Sequence, residues 1–239
     1  MRWILSLFSL AFAFTNVICA STGYSACRSN DSQCLKEQTT AMYKLILPGI
    51  KELNIPSSDP MYLKRIEGKF DQMKYELTDS TMTGFLDCKV ESSDITSDQK
   101  AVWKLSCPNL RISGQYSMNG TIIGVPIFGN GAYFIDTHDY FVTVTTEVKT
   151  TKGDDGQFHI SYKNFKADAD LRGGFDYDAK NLFGGNKQLA DSAKTIIKQN
   201  WQITAKLMAT PIVDSSVRNV LKSVNTYLKS VPAEEVIIF

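Results

Sequence analysis

Histidine is nearly absent from this 239-residue chain: His138 and His159 are the only two. Neither has a partner at the helical spacing that turns two imidazoles toward one metal ion. Cysteine is scarce too, with five residues and no C-x-x-C pair, which removes zinc-ribbon and thioredoxin-type readings. No G-x-S-x-G nucleophile elbow occurs. No G-x-x-x-x-G-K loop occurs, and no G-x-G-x-x-G follows a strand. Gly124, Gly129, Gly131 and the Gly184-Gly185 pair therefore read as turns and sheet bends. The acidic group Asp168, Asp170, Asp176 and Asp178 lacks the closing bidentate glutamate of a calcium loop and reads as a solvated edge. His159, set between Phe158 and Ile160, is expected on the polar face of its strand. These absences predict a protein without catalysis, metal or cofactor.

An excess of charge is also missing. Lys and Arg total 26 against 25 Asp and Glu, and removal of Arg2 with a leader makes the two equal. A balanced chain offers no electrostatic footprint for nucleic acid or for an anionic membrane. Long apolar runs are confined to one place. After Arg2, Ile4 to Phe14 carry no charge, and small residues follow near Cys19 and Ala20. That layout predicts a secretory signal peptide over residues 1–20, too short to span a bilayer. It leaves residues 21–239 as a secreted, extracellular single domain without integral membrane association.

Secretion changes the meaning of the remaining cysteines, Cys27, Cys34, Cys88 and Cys107. In an oxidising compartment they allow three pairings, of which the local one, Cys27 with Cys34 and Cys88 with Cys107, is expected. Two N-glycosylation sequons stand at Asn30-Asp31-Ser32 and Asn119-Gly120-Thr121. The second also reads as a tight hairpin turn.

Periodicity divides the chain in two. Leu35, Met42, Ile46 and Ile50 recur at helical spacing between Asp31 and Leu53, behind the capping side chains of Asn30, Asp31 and Ser32. From Lys69 to Lys166 the period falls to two, as in Met73-x-Tyr75-x-Leu77 and Trp103-x-Leu105-x-Cys107, which predicts a long antiparallel meander. From Lys187 the helical period returns through Ile196, Trp201 and Met208, a helix of roughly 36 Å to Thr210. Pro211 is expected to kink it, with Val213 to Leu228 continuing the stripe. So long an amphipathic helix needs an equally long surface, and the meander is the candidate. The expected fold is α+β, a highly curved antiparallel sheet wrapped around a long C-terminal helix. Such a sheet is hard to fill, and 43% of residues are apolar, so an elongated apolar tunnel is expected inside it. Tyr116, Ile122, Val125, Ile127, Phe128, Tyr133, Phe141, Trp201, Leu207 and Met208 are the expected wall.

Several segments resemble one family. Cys27-x6-Cys34-Leu35 with Pro48-Gly49-Ile50 is similar to the opening of the insect juvenile hormone binding protein and takeout family. Leu110 to Tyr116 with Gly120, then Val125-Pro126-Ile127-Phe128-Gly129-Asn130-Gly131, resembles its central hairpin. Asn181-Leu182-Phe183-Gly184-Gly185-Asn186-Lys187-Gln188-Leu189, Asn200-Trp201 and Pro232-Ala233-Glu234-Glu235 complete the likeness. The resemblance implies an α/β-wrap around a tunnel, secretion into haemolymph or sensory fluid, and binding of terpenoids, fatty acyl chains or similar lipids by a monomer. The early position of Cys88 and Cys107 places the chain nearer the takeout branch. The alternative is a secreted interaction or signalling protein that acts on a receptor or membrane, with lipid only structural.

Overall fold

The computed structural model describes residues 25–70, 72–122 and 125–239. The expected leader over 1–20 and Gly124 lie outside these residues, as do the side chains of Ile122, Val125 and Leu207. The chain enters through a two-residue strand, β1 (Cys27–Arg28), and a helix, α1 (Ser32–Ile46). Asp31 caps that helix, its carboxylate accepting from the Cys34 N–H at 3.0 Å. Cys34 in the first turn is bridged to Cys27. The expectation that this helix extends to Leu53 is corrected: it stops at Ile46, two residues before Pro48. Gly49 then turns the chain at a φ of 90°, where a Cβ would stand 2.8 Å from the Ser57 nitrogen.

Seven strands follow: β2 (Met61–Phe70), β3 (Met73–Thr83), β4 (Lys89–Ile95), β5 (Lys100–Ile122), β6 (Val125–Lys152), β7 (Phe158–Leu171) and β8 (Phe175–Ala179). They form one antiparallel sheet in the order β2-β3-β5-β6-β7, with β4 beside β5 and β8 beside β6. The length of β5 and β6 lets each carry two neighbours along one edge. Cys88, just ahead of β4, is bridged to Cys107 in β5. Asn119-Gly120 does not make the hairpin turn: β5 runs through it to Ile122, which pairs with Val125. Gly120 answers a close approach instead, since a Cβ there would lie 2.3 Å from the Gln72 carbonyl oxygen.

Two further helices, α2 (Lys187–Gln199) and α3 (Trp201–Leu228), precede a closing strand, β9 (Ile237–Ile238), which pairs in parallel with β1. The helical stretch is broken at Asn200 rather than at Pro211, which lies inside α3. Asn200 leaves the helical region at φ −119° and ψ 32°, and its amide donates to the Ile196 carbonyl. Among the described residues no helix is long and apolar enough to cross a membrane.

The expected highly curved sheet wrapped around one long helix is corrected. Among the described residues the sheet is open, with β2 and β7 at opposite ends of the strand order and no further strand beside either. The reason is that α3 spans between those edges instead of being enclosed, packing against both β7 and β2. Side chains make the junctions. The Tyr75 hydroxyl on β3 donates to the Met208 carbonyl at 2.8 Å. On β7, the Asn225 amide accepts from the Tyr162 N–H at 2.8 Å and donates to the Tyr162 carbonyl at 2.9 Å, so a helix side chain occupies the place of a neighbouring strand. One buried cluster lies under β2, β3, β5 and the middle of α3, and a second joins α1 to the end of α3 and β9.

Candidate functional site

Inward-facing side chains along a strand recur every second residue, and on β6 that set includes Tyr140, Val142 and Val144. From β5 come Trp103, Leu105, Cys107, Leu110 and Ile112, and from α3 Met208, Ile212, Val213 and Val217. Between these faces lie two cavities. The larger, about 410 Å³, runs under β7 and the first half of α3, a size within the range of about 300–1,000 Å³ usual for small organic ligands. The smaller, about 130 Å³, reaches back beneath α1 to Met42, Tyr43 and Phe85. Met82, Leu110, Tyr140 and Val213 line both, so these four side chains form the boundary, here termed the neck, between the two chambers.

The chambers differ in polarity. The rim of the larger one carries Asp168, Asp170, Gln202, Lys206 and Thr210, all exposed. Its two carboxylates are already paired, Asp168 with Lys166 at 3.1 Å and Asp170 with Arg172 at 2.8 Å. The smaller chamber is walled almost wholly by carbon, and most of its hydroxyls are spent on the protein. Tyr43 donates to the Phe85 carbonyl at 2.9 Å and Ser216 to the Ile212 carbonyl at 2.8 Å. Burial pushes the Tyr140 and Tyr162 phenols up to about 12, so both stay protonated donors at neutral pH. Trp103 and Tyr162 meet edge to face at 4.7 Å on the chamber wall.

Of the ten side chains expected to form the wall, Met208 lines the larger chamber. Tyr116, Ile127 and Tyr133 are buried in the core beyond it. The Tyr116 hydroxyl donates to the Lys180 carbonyl at 2.8 Å, and that of Tyr133 lies 2.8 Å from the Ser80 hydroxyl. Phe128 is 45% exposed and rests its edge on Phe183 at 5.6 Å. Phe141 stands on the opposite face of β6 from Tyr140, under the Arg172 guanidinium at 3.9 Å. Trp201 opens α3, half-buried, and lines neither chamber. Tyr140, Val213, Met82 and Leu110 are not among the ten, although the alternation Tyr140-x-Val142-x-Val144 marks the first of them.

His159 corrects another expectation. It is 7% exposed, with Nδ1 2.8 Å from the Val231 carbonyl and Nε2 3.0 Å from an Asp155 oxygen. Phe158 takes the solvent instead, at 58% exposed. Asn30 and Asn119 are both exposed. Among the described residues no three His, Cys, Asp or Glu side chains gather as metal ligands would.

A crystal structure of Epiphyas postvittana Takeout 1 superposes with a TM-score of 0.83 at 18% identity, covering 90% of this chain and 100% of that one, a likeness of fold alone. The circadian clock-controlled protein daywake of Drosophila melanogaster is 24% identical over 232 residues, 90% of this chain and 89% of its own length. Its counterpart in Drosophila yakuba is 24% identical over 202 residues, 78% of this chain and 77% of that one. Residues 7–238 match the haemolymph juvenile hormone binding protein family across nearly the whole sequence, and the chain belongs to that family.

Proposed function

We propose that this protein is a secreted carrier that holds one small hydrophobic molecule in the paired chambers between its sheet and α3. It acts by binding and not by catalysis. The observation that carries the reading is the neck: two neighbouring cavities share Met82, Leu110, Tyr140 and Val213 in their walls, and a ligand that parts these side chains occupies both as one elongated site. Terpenoids and acyl chains fit that shape, consistent with the hormone for which the family is named. A chain-like ligand that loses about 300 Å² of apolar surface to the site gains about 7 kcal/mol before the costs of association. Residues 21–239 then act as one domain and one monomer, with the sequons at Asn30 and Asn119 available for glycans on the outer surface.

The test is displacement of a polarity-sensitive dye, N-phenyl-1-naphthylamine, by terpenoid esters and by acyl chains of graded length. A carrier takes up the dye in one-to-one ratio and releases it to the longer chains. A protein that neither lights the dye nor binds the chains is not a carrier, and an interaction protein with a filled core becomes the better account.

A further inference from the structure

Tyr140 is 6% exposed and stands at the neck, yet its hydroxyl has no hydrogen-bond partner among the described residues. The three other side chains of the neck, Met82, Leu110 and Val213, present only carbon and a thioether. Of the nearby hydroxyls only that of Tyr162, on the smaller chamber, shares this condition among the described residues; Thr137 on the larger chamber donates to the Leu110 carbonyl at 3.1 Å, and Ser216 and Tyr43 are satisfied as described above. A phenol that lines a cavity without a protein acceptor is a donor that a ligand oxygen can take up. The position of this phenol sets where on the ligand the oxygen must be. A molecule that fills both chambers passes the neck partway along its length, so neither of its ends lies beside Tyr140.

Resting on the carrier reading, we infer that Tyr140 donates a hydrogen bond to an oxygen placed within the ligand's chain. The ligand class is then an elongated apolar molecule with an internal carbonyl, ester or ether oxygen, not a plain hydrocarbon and not a chain polar only at its end. The apolar arm beyond that oxygen enters the smaller chamber under α1, and the rest lies toward the rim at Lys206 and Gln202.

The probes are a straight-chain ketone with its carbonyl near the middle, the alkene of equal length, and the saturated carboxylic acid of equal length. Each competes with N-phenyl-1-naphthylamine on the full secreted chain. The ketone is expected to bind about tenfold more tightly than the alkene or the acid. Tyr140→Phe is expected to erase that preference. The wild-type comparison needs no variant, so a misfolded mutant does not decide the outcome. Equal affinities for ketone and alkene overturn the anchor while the carrier reading stands. Loss of the preference in Tyr162→Phe but not in Tyr140→Phe moves the donor to the deep end and overturns the assignment to the neck. If no probe displaces the dye because no dye is bound, both readings fall together.

Discussion

The Tyr75 hydroxyl, on β3, donates to the carbonyl oxygen of Met208, three residues ahead of Pro211 in α3. Proline inside a helix has no N–H for the carbonyl four residues back, here that of Leu207, and at the next residue the sheet adds a donor to the helix backbone. The same tyrosine ring needs Gly68 opposite it on β2, where a Cβ would lie 2.0 Å from the ring. Proline, tyrosine and glycine thus act together to fix the first half of α3 over the larger chamber.

Tyr75→Phe is expected to lower stability by about 1 kcal/mol. Gly68→Ala is expected to cost more, about 1–3 kcal/mol, because the buried ring has to move. Urea titration of both variants checks the order, and a Gly68→Ala protein as stable as wild type would contradict it.

Asn225 gives a second prediction. Its amide makes two hydrogen bonds with the Tyr162 backbone on the open edge of β7. Asn225→Leu fills similar volume but leaves both backbone groups unpaired, at an expected cost of about 2 kcal/mol. Hydrogen exchange at the Tyr162 amide should quicken in the variant well beyond that at central strands such as β5.

His159 makes stability depend on pH. Both ring nitrogens face oxygen acceptors, Asp155 and the Val231 carbonyl, and only the imidazolium can donate to both. The Asp155 carboxylate, foremost, raises the His159 pKa above its ordinary value of about 6.5. A raised folded-state pKa adds stability that is fully present below the unfolded value and is lost as pH rises through the folded one. Melting temperature should therefore fall as pH climbs upward from about 6.5. His159→Gln should flatten that slope, and a slope unchanged by the substitution would contradict the pairing.

Much of the fold was legible because its cues are local. The period-two runs of β3, β5 and β6 and the helical stripe after Lys187 each depend on neighbours a few residues apart. The site was less legible because membership turns on parity. Choosing Phe141 in place of Tyr140 moves one residue along β6 and crosses to the other face of the sheet. His159 was misplaced for a different reason: the group that covers it, Val231, lies 72 residues away, beyond any local pattern. The open sheet was likewise not readable, since nothing in a strand's own sequence shows whether its free edge meets another strand or the side of a helix.

That parity has a consequence for binding. Val213 lines both chambers, whereas Phe128 and Trp201 line neither. Val213→Trp is expected to close the neck and weaken long-chain ligands by tenfold or more, with short ones spared. Phe128→Ala and Trp201→Ala should leave ligand affinity within about twofold. Dye displacement across a chain-length series separates these outcomes.

The most direct test of the carrier account is native mass spectrometry of the protein as secreted, followed by organic extraction of whatever it holds. The account predicts one apolar molecule per chain, released on extraction and exchangeable with added ligand. A chain that emerges empty, and stays empty when offered terpenoid esters and acyl lipids, would contradict it.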